Sequence, residues 1–501
     1  MCLLLIPSAA EILGFPTDGG QCEQSDAYGK LLQNPSVARA DGINKRNRPA
    51  MTSVQSFVHE TRFEDLPADV LAVMKRSVLD ILGVAAVGST TEIGRITSAY
   101  ARQHWCAGAD GPKARLMFDG TPVSPEGAAF AGAFMIDSID AHDGHSPVKG
   151  HAGSGIFPAL LVFCEDPRAQ GEPVSGRAFL TAMAIGYEVA YRSGLTLHAT
   201  TSDYHTSGAW TAVGAASMGA RLLGLSGDQT RHAIGIAEYH GPRSQMMRCI
   251  DHPSMLRDGV GWGSPTGVSA VYLASLGFTG APAITVEGEE ASLFWNDLGE
   301  RWEISNTHYK RYPVCRWAHP AIDAAQNLMA EHGLSSTDIE RVRIQTFHNA
   351  TRLAGCDPQS MDELTYGIAY PTAIMIVRGK IGILELSPEV LADREIRRIS
   401  LATKLVETEH YNKISVGERW ADVTLYLRDG RELQSQARKP KGDPDDPLSD
   451  AEIAEKYHRF ADPVIGALHA DSIEAAVAGM DEETATTDWF DDFIYCAAAT
   501  Y

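Results

Sequence analysis

The sequence predicts a mainly α protein, with a large helical domain of two chain segments and a smaller α+β domain inserted between them. Apolar residues recur at three- and four-residue steps from about 66 to 300. Strand-like alternation and a hairpin signal appear only after about 304, and helical patterning returns after about 445. The expected division is 1–50 as a flexible N-terminal extension, 51–303 as the first helical segment, 304–442 as the α+β domain and 443–501 as the second helical segment.

Within 66–88, Val70, Met74, Val78, Ile81 and Leu82 share one helical face, Pro67 suits a first turn, and Gly83 begins a small-residue stretch. Helices over 179–194, 208–224, 230–240 and 268–277 follow, several of them closing at glycine. The run 208–220 is rich in Ala, Gly and Ser, and such small side chains let helix backbones approach closely. Over 341–348, Val342, Ile344 and Thr346 point to one face and Arg343 and Gln345 to the other. The segments 423–427 and 432–437 flank Asp429-Gly430, a hairpin turn pair. A helix over 319–332 completes the α+β part, and helices over 450–461 and 471–479 resume the first pattern. The acidic run 443–446 reads as a solvated linker. Residues 16–50 are polar and turn-rich. The apolar opening 1–15 lacks a basic flank and contains Glu11, so it reads poorly as a secretory signal.

At 501 residues the chain exceeds one ordinary core, and 44% hydrophobic with 21% charged residues is a globular composition. A formal net charge of −21 opposes binding to nucleic acid or an anionic membrane. An anionic substrate would need a site that gathers cations locally. No apolar run approaches the roughly 20 residues of a membrane span. The eight cysteines are scattered without a C-x-x-C pair, which suits a reducing, cytoplasmic setting and argues against structural zinc or an iron–sulfur cluster. No cofactor is expected.

Four segments concentrate reactive groups. The first runs from Asp140 through His142, Asp143, Gly144, His145 and Lys149 to His151. It reads as a polar loop, as a metal site, or as acid–base machinery for a polyanion, with His151 moving a proton and Lys149 pairing a carboxylate. Its spacing matches neither H-E-x-x-H nor a standard carboxylate cage. The second, Asp203-Tyr204-His205-Thr206-Ser207-Gly208, precedes the small-residue helix. There Thr206 or Ser207 can cap the helix, its N-terminus favours an anion, and His205 is either structural or functional. The third carries Arg243, Arg248 and Arg257, whose guanidinium forks match carboxylates or simply bridge surface acids. The fourth, Tyr309-Lys310-Arg311-Tyr312-Pro313 on to Arg316, Trp317 and His319, mixes aromatics and cations at the join into the α+β part. With this net charge an anion clamp fits it better than a nucleic-acid patch.

In this order the segments resemble the MmgE/PrpD family, which includes 2-methylcitrate dehydratases, cis-aconitate decarboxylases and an iminodisuccinate epimerase. The resemblance spans about 55–465. It rests on Asp140 to His151, His205 before a Gly/Ala-rich helix, Arg257-Asp258-Gly259, Lys310 to Pro313 with His319-Pro320, and Tyr366 with Tyr370-Pro371. It implies a helical domain with a smaller α/β lid, an active site between them, and a homodimer. By the same resemblance the catalytic candidates are His151, His205, Asp140 and Tyr370. The substrate-binding candidates are Asp143, Lys149, Arg257, Lys310 and His319, and no metal ligand is expected. The chain departs from better-known members at Gly144, where a hydroxyl residue is common, and at Arg257, where lysine is common. The segment 238–243 is also more charged.

Elimination of water, decarboxylation and epimerisation all pass through an electron-rich carbon beside a carboxylate, and each needs charge stabilisation and a positioned proton donor or base. The expected function is a cofactor-independent hydro-lyase dehydrating a 2-methylcitrate-like polycarboxylate. The alternatives are a decarboxylase or epimerase of a cis-aconitate-like or iminodisuccinate-like compound, and a non-catalytic carboxylate-binding protein. A fold alone does not choose among them.

Overall fold

The computed structural model describes residues 53–109, 111–169, 174–353 and 355–496; the expected extension over 1–50 lies outside them. The chain is mainly α. Its first part is built from α1 (Ala68–Thr90), α2 (Glu92–His104), α3 (Pro125–Asp137), α4 (Gly153–Cys164), α5 (Gly176–Thr200), α6 (Gly208–Leu222), α7 (Gly227–His240) and α8 (Val260–Ser275). Helix α6 lies at the centre, packed against α4, α5, α7 and α8. It is buried along its whole length except at Arg221. The small residues explain this position: a Cβ on Gly214 would stand 2.3 Å from the carbonyl oxygen of Gly186 in α5.

Helix α8 begins well before the expected 268. Gly259 (φ 71°) starts it, and Gly261, Gly263 and Pro265 in its first turns mask the apolar periodicity.

The second part contains α9 (His319–His332), α10 (Ala369–Arg378) and a four-stranded sheet. The strands are β3 (Ile339–Thr346), β4 (Thr403–Glu407), β5 (Ala421–Leu427) and β6 (Glu432–Gln434), in spatial order β4-β3-β5-β6. Two short strands, β1 (Gly144–His145) and β2 (Thr307–His308), pair elsewhere. Val342, Ile344 and Thr346 are buried as the alternation predicts, and β5 and β6 form the hairpin across Gly430 (φ 88°). The parallel pairing of β3 with β4 was not foreseeable from the short, mixed segment Thr403–Glu407.

The returning helix α11 (Asp450–Ile465) packs along α1. There Lys456 Nζ donates to Asp80 Oδ1 at 2.6 Å and to the carbonyl oxygen of Ala141 at 2.6 Å. This buried cation ties the last helical stretch to the loop after α3. The solvated-linker reading of 443–446 is corrected at Asp443, which is buried and accepts a hydrogen bond from Arg316. Among the described residues no helix is long and apolar enough to cross a membrane.

Candidate active site

The loop from α3 to α4 carries four of the nine candidate residues, Asp140, Asp143, Lys149 and His151. Two of its non-glycine residues, Asp140 (φ 49°) and Lys149 (φ 58°), adopt the left-handed backbone. Such strain costs on the order of 1–3 kcal/mol per residue and persists only where surrounding structure holds it. Here hydrogen bonds do so. The His145 amide donates to Gly150 O at 2.8 Å, the Lys149 amide to Ser146 O at 3.2 Å, and the Val148 amide to His145 Nδ1 at 3.1 Å. Pairing of β1 with β2 sets Gly144 opposite His308. A Cβ on Gly144 would stand 2.7 Å from His308 Nε2 and 2.8 Å from His151 Nδ1, so a side chain has no room there.

This loop forms one wall of a cavity of about 50 Å³, enough for a few waters by the criterion that one needs roughly 10–15 Å³. Four cations line the cavity, Lys149, Lys310, Arg316 and Arg419, against two carboxyl groups, Asp140 and Asp258. Burial, with Asp137 close by, holds the Asp258 carboxyl well above the usual carboxylate range. The lining is thus positive inside a protein of net charge −21, the local concentration of cations that an anion would need.

His151 is held from two sides. Its amide donates to Ser207 Oγ at 2.9 Å, and its Nδ1 donates to the carbonyl oxygen of Asp143 at 2.6 Å. A carbonyl only accepts, so the hydrogen sits on Nδ1 and Nε2 carries a free lone pair. Nε2 lies 4.0 Å from Asp140 Oδ1. Burial and the Lys310 ammonium bring the imidazole down to about 4, so it is neutral at physiological pH. Lys310 is buried and donates to the carbonyl oxygen of Asp140 at 2.8 Å and to its carboxylate.

Residues 52–302 match the MmgE/PrpD N-terminal domain and residues 312–482 the MmgE/PrpD C-terminal domain. The chain belongs to the MmgE/PrpD family. It is 24% identical over 474 residues to the cis-aconitate decarboxylase-like protein oryM of Aspergillus oryzae, covering 85% of this chain and 93% of that protein. It is 23% identical to the cis-aconitate decarboxylase of Aspergillus terreus over 463 residues (84% and 91% covered). Identity to the cis-aconitate decarboxylase of Homo sapiens is also 23%, over 455 residues (86% and 91% covered).

In this MmgE/PrpD protein the cavity brings together Asp140, Lys149, His151 and Lys310. The other five candidates stand outside its lining. His205 is buried, with Nδ1 donating to Asp203 O at 2.8 Å. Tyr370 is fully buried and donates to Val390 O at 2.8 Å, whereas Tyr366, four residues earlier, faces the cavity. Arg257 pairs with Asp362 at 2.7 Å and lies 5.5 Å from the Tyr366 ring centroid, behind the wall rather than on it. His319 is buried, its Nε2 3.2 Å from Val314 O. The Asp143 carboxyl accepts from Ser77 Oγ at 2.9 Å and Tyr187 OH at 2.8 Å, and burial pushes it up to about 7.

His308, Tyr204, Asp258 and Arg419 also line the cavity, and none of them is among the candidates expected from the sequence. Tyr204 and Asp258 lie within two of the four reactive segments and His308 immediately before a third; Arg419 carries no local signal. Ser207 does not cap α6, because its hydroxyl is spent on Asp258 and the His151 amide. Among the described residues one group brings metal-ligand atoms within 4.8 Å of one another: Asp137, Asp140 and His142. A cation there would compete with the Lys310 ammonium already on Asp140.

Proposed function

We propose that the chain is a lyase acting on a small polycarboxylate, with His151 exchanging a proton at the carbon beside a carboxylate. The observation that carries this reading is the fixed tautomer of His151, which leaves an unprotonated Nε2 beside a cation-lined cavity. Lys310 and the neighbouring cations would hold the carboxylates and stabilise charge that develops on carbon. No step requires a redox cofactor.

Two reactions share this machinery. In a dehydration, neutral His151 takes the proton from carbon, the C–H electron pair becomes the double bond, and hydroxide leaves with a proton as water. The neutral imidazole supports this order, which is that of a dehydratase on a 2-methylcitrate-like hydroxy acid. In a decarboxylation, the bond to one carboxylate breaks, CO2 leaves, and the electron pair left on carbon takes a proton from a cationic donor on the cavity wall, since the bare Nε2 of neutral His151 has none to give. The names of the relatives support that second reading, with a cis-aconitate-like substrate. An unsaturated polycarboxylate is the product of the first reaction and the substrate of the second.

The test is to incubate the purified chain with citrate, 2-methylcitrate, cis-aconitate and iminodisuccinate while following alkene absorbance, released CO2 and epimerisation. Alkene from a hydroxy acid without CO2 establishes dehydration, and CO2 from cis-aconitate establishes decarboxylation. Thermal stabilisation by one compound without turnover supports a carboxylate-binding protein instead. Neither turnover nor stabilisation by any of the four overturns the reading.

A further inference from the structure

We propose that Lys149 is the proton donor that works opposite His151, a role distinct from holding a carboxylate. This inference rests on the lyase reading above. Lys149 is partly buried on the cavity wall, two residues before His151 on the same braced loop. Its left-handed backbone (φ 58°) is held in part by Tyr204, whose hydroxyl donates to the Lys149 carbonyl oxygen. The side chain at this left-handed position is among those that line the cavity.

The ammonium lies 5.7 Å from the Tyr204 ring centroid and pairs with no carboxylate among the described residues. The other cations on the wall are unsuited to proton transfer. Lys310 is committed to Asp140 through two hydrogen bonds and an ion pair, and the guanidinium groups of Arg316 and Arg419 do not give up their protons. His205, the second histidine expected to move a proton, is outside the cavity lining.

The charged and titratable groups nearest Lys149 are Arg419, His198 and Tyr204, and the rest of the wall carries Asp140, Asp258, Lys310, Arg316, His145, His151, His308, Cys315 and Tyr366. Burial, and then Arg419, brings the ammonium down to about 8, while His151 is brought down to about 4. At neutral pH one group is therefore a charged acid and the other a neutral base. Both groups are lowered by a similar amount, which keeps their order and brings the ammonium close enough to neutral pH to give up its proton readily. In a dehydration the leaving hydroxide takes a proton from Lys149, giving water and a neutral amine. In a decarboxylation the electron pair left on carbon takes that proton. Solvent then restores the ammonium.

The discriminating variant is Lys149→Arg, which keeps a carboxylate-binding charge but cannot donate at neutral pH. Turnover of cis-aconitate and of 2-methylcitrate is measured from pH 5 to 10 for the wild type and the variant. In the wild type, kcat/KM is expected to fall as pH rises through about 8. In Lys149→Arg, kcat falls on the order of 100-fold or more, KM changes little, and the alkaline limb disappears. A variant with wild-type kcat overturns the donor role and leaves the lyase reading intact. A wild type inactive on these two and on the other two compounds of the screen overturns the lyase reading itself, and the donor role with it. If thermal melting shows that the variant does not fold, the intact chain decides. The rate of acetylation of the Lys149 peptide is read by mass spectrometry against pH, and a midpoint above about 10, the ordinary lysine range, overturns the donor role.

Discussion

His151 Nδ1 donates to the main-chain oxygen of Asp143 at 2.6 Å, and this bond decides which ring nitrogen faces the cavity. The Asp143 side chain is anchored in turn by Ser77 on α1 and Tyr187 on α5. The helical body therefore sets the orientation of a ring on the loop after α3.

The acid limb of activity follows from that geometry. The base form of His151 is neutral and burial keeps it so, hence kcat/KM is expected to fall only as pH drops through about 4, well below an ordinary imidazole. His151→Ala should reduce kcat by about 100- to 10,000-fold. Substrate should still raise the melting temperature, because the cations that hold it remain. Unchanged turnover in His151→Ala removes this residue from the mechanism.

Asp143 makes a separate prediction about stability. Its folded carboxyl titrates at about 7, above the ordinary 3.8, so the folded state holds an extra proton between those values. The resulting stabilisation is fully present below the ordinary value and is lost as pH rises through about 7. Asp143→Asn removes the titration. Denaturant midpoints at pH 5 and pH 8 should show wild type losing on the order of a few kcal/mol relative to the variant. A difference independent of pH would mean that Asp143 is ionised throughout.

Lys310 and Asp140 are both buried, and each is the other's counter-charge. Lys310→Met strands a buried carboxylate and should cost about 3–5 kcal/mol in denaturant unfolding. The double variant Lys310→Met with Asp140→Asn should recover part of that loss, because no lone charge remains. Equal stability of the single and double variants would show that the two groups do not depend on each other.

The helical pattern and much of the loop site were legible because they are local. The face of Val70, Met74 and Val78 repeats within α1, and Asp140, Lys149 and His151 fall within one short segment. The far wall was not, because it depends on how distant parts pack. Arg419 reaches the cavity from the residues just before β5, and His308 arrives through the two-residue pairing of β1 with β2. Tyr366 and Tyr370 illustrate the limit. They flank the break between Met361–Thr365 and α10, and no periodicity across that break indicates that the first faces the cavity and the second Val390. Arg257 was legible as a carboxylate fork, but the carboxylate it grips is Asp362 of the protein itself.

Gly144 offers the sharpest test of the loop. A hydroxyl residue is the usual occupant in the resemblance read from the sequence, yet here a Cβ would lie within 3 Å of both His308 and His151. Neither ring can easily retreat, since His151 is tied to Asp143 O and His308 Nδ1 lies 3.2 Å from Ser146 Oγ. Gly144→Ala should therefore displace His151 and cost about 1–3 kcal/mol by overpacking. Misplacing a catalytic group by about 1 Å is enough to lower turnover on the order of 100-fold. The expected signature is a large fall in kcat with a modest fall in melting temperature. Full activity in Gly144→Ala would mean that His151 has slack in this loop and that its tie to Asp143 O does not set the reacting geometry.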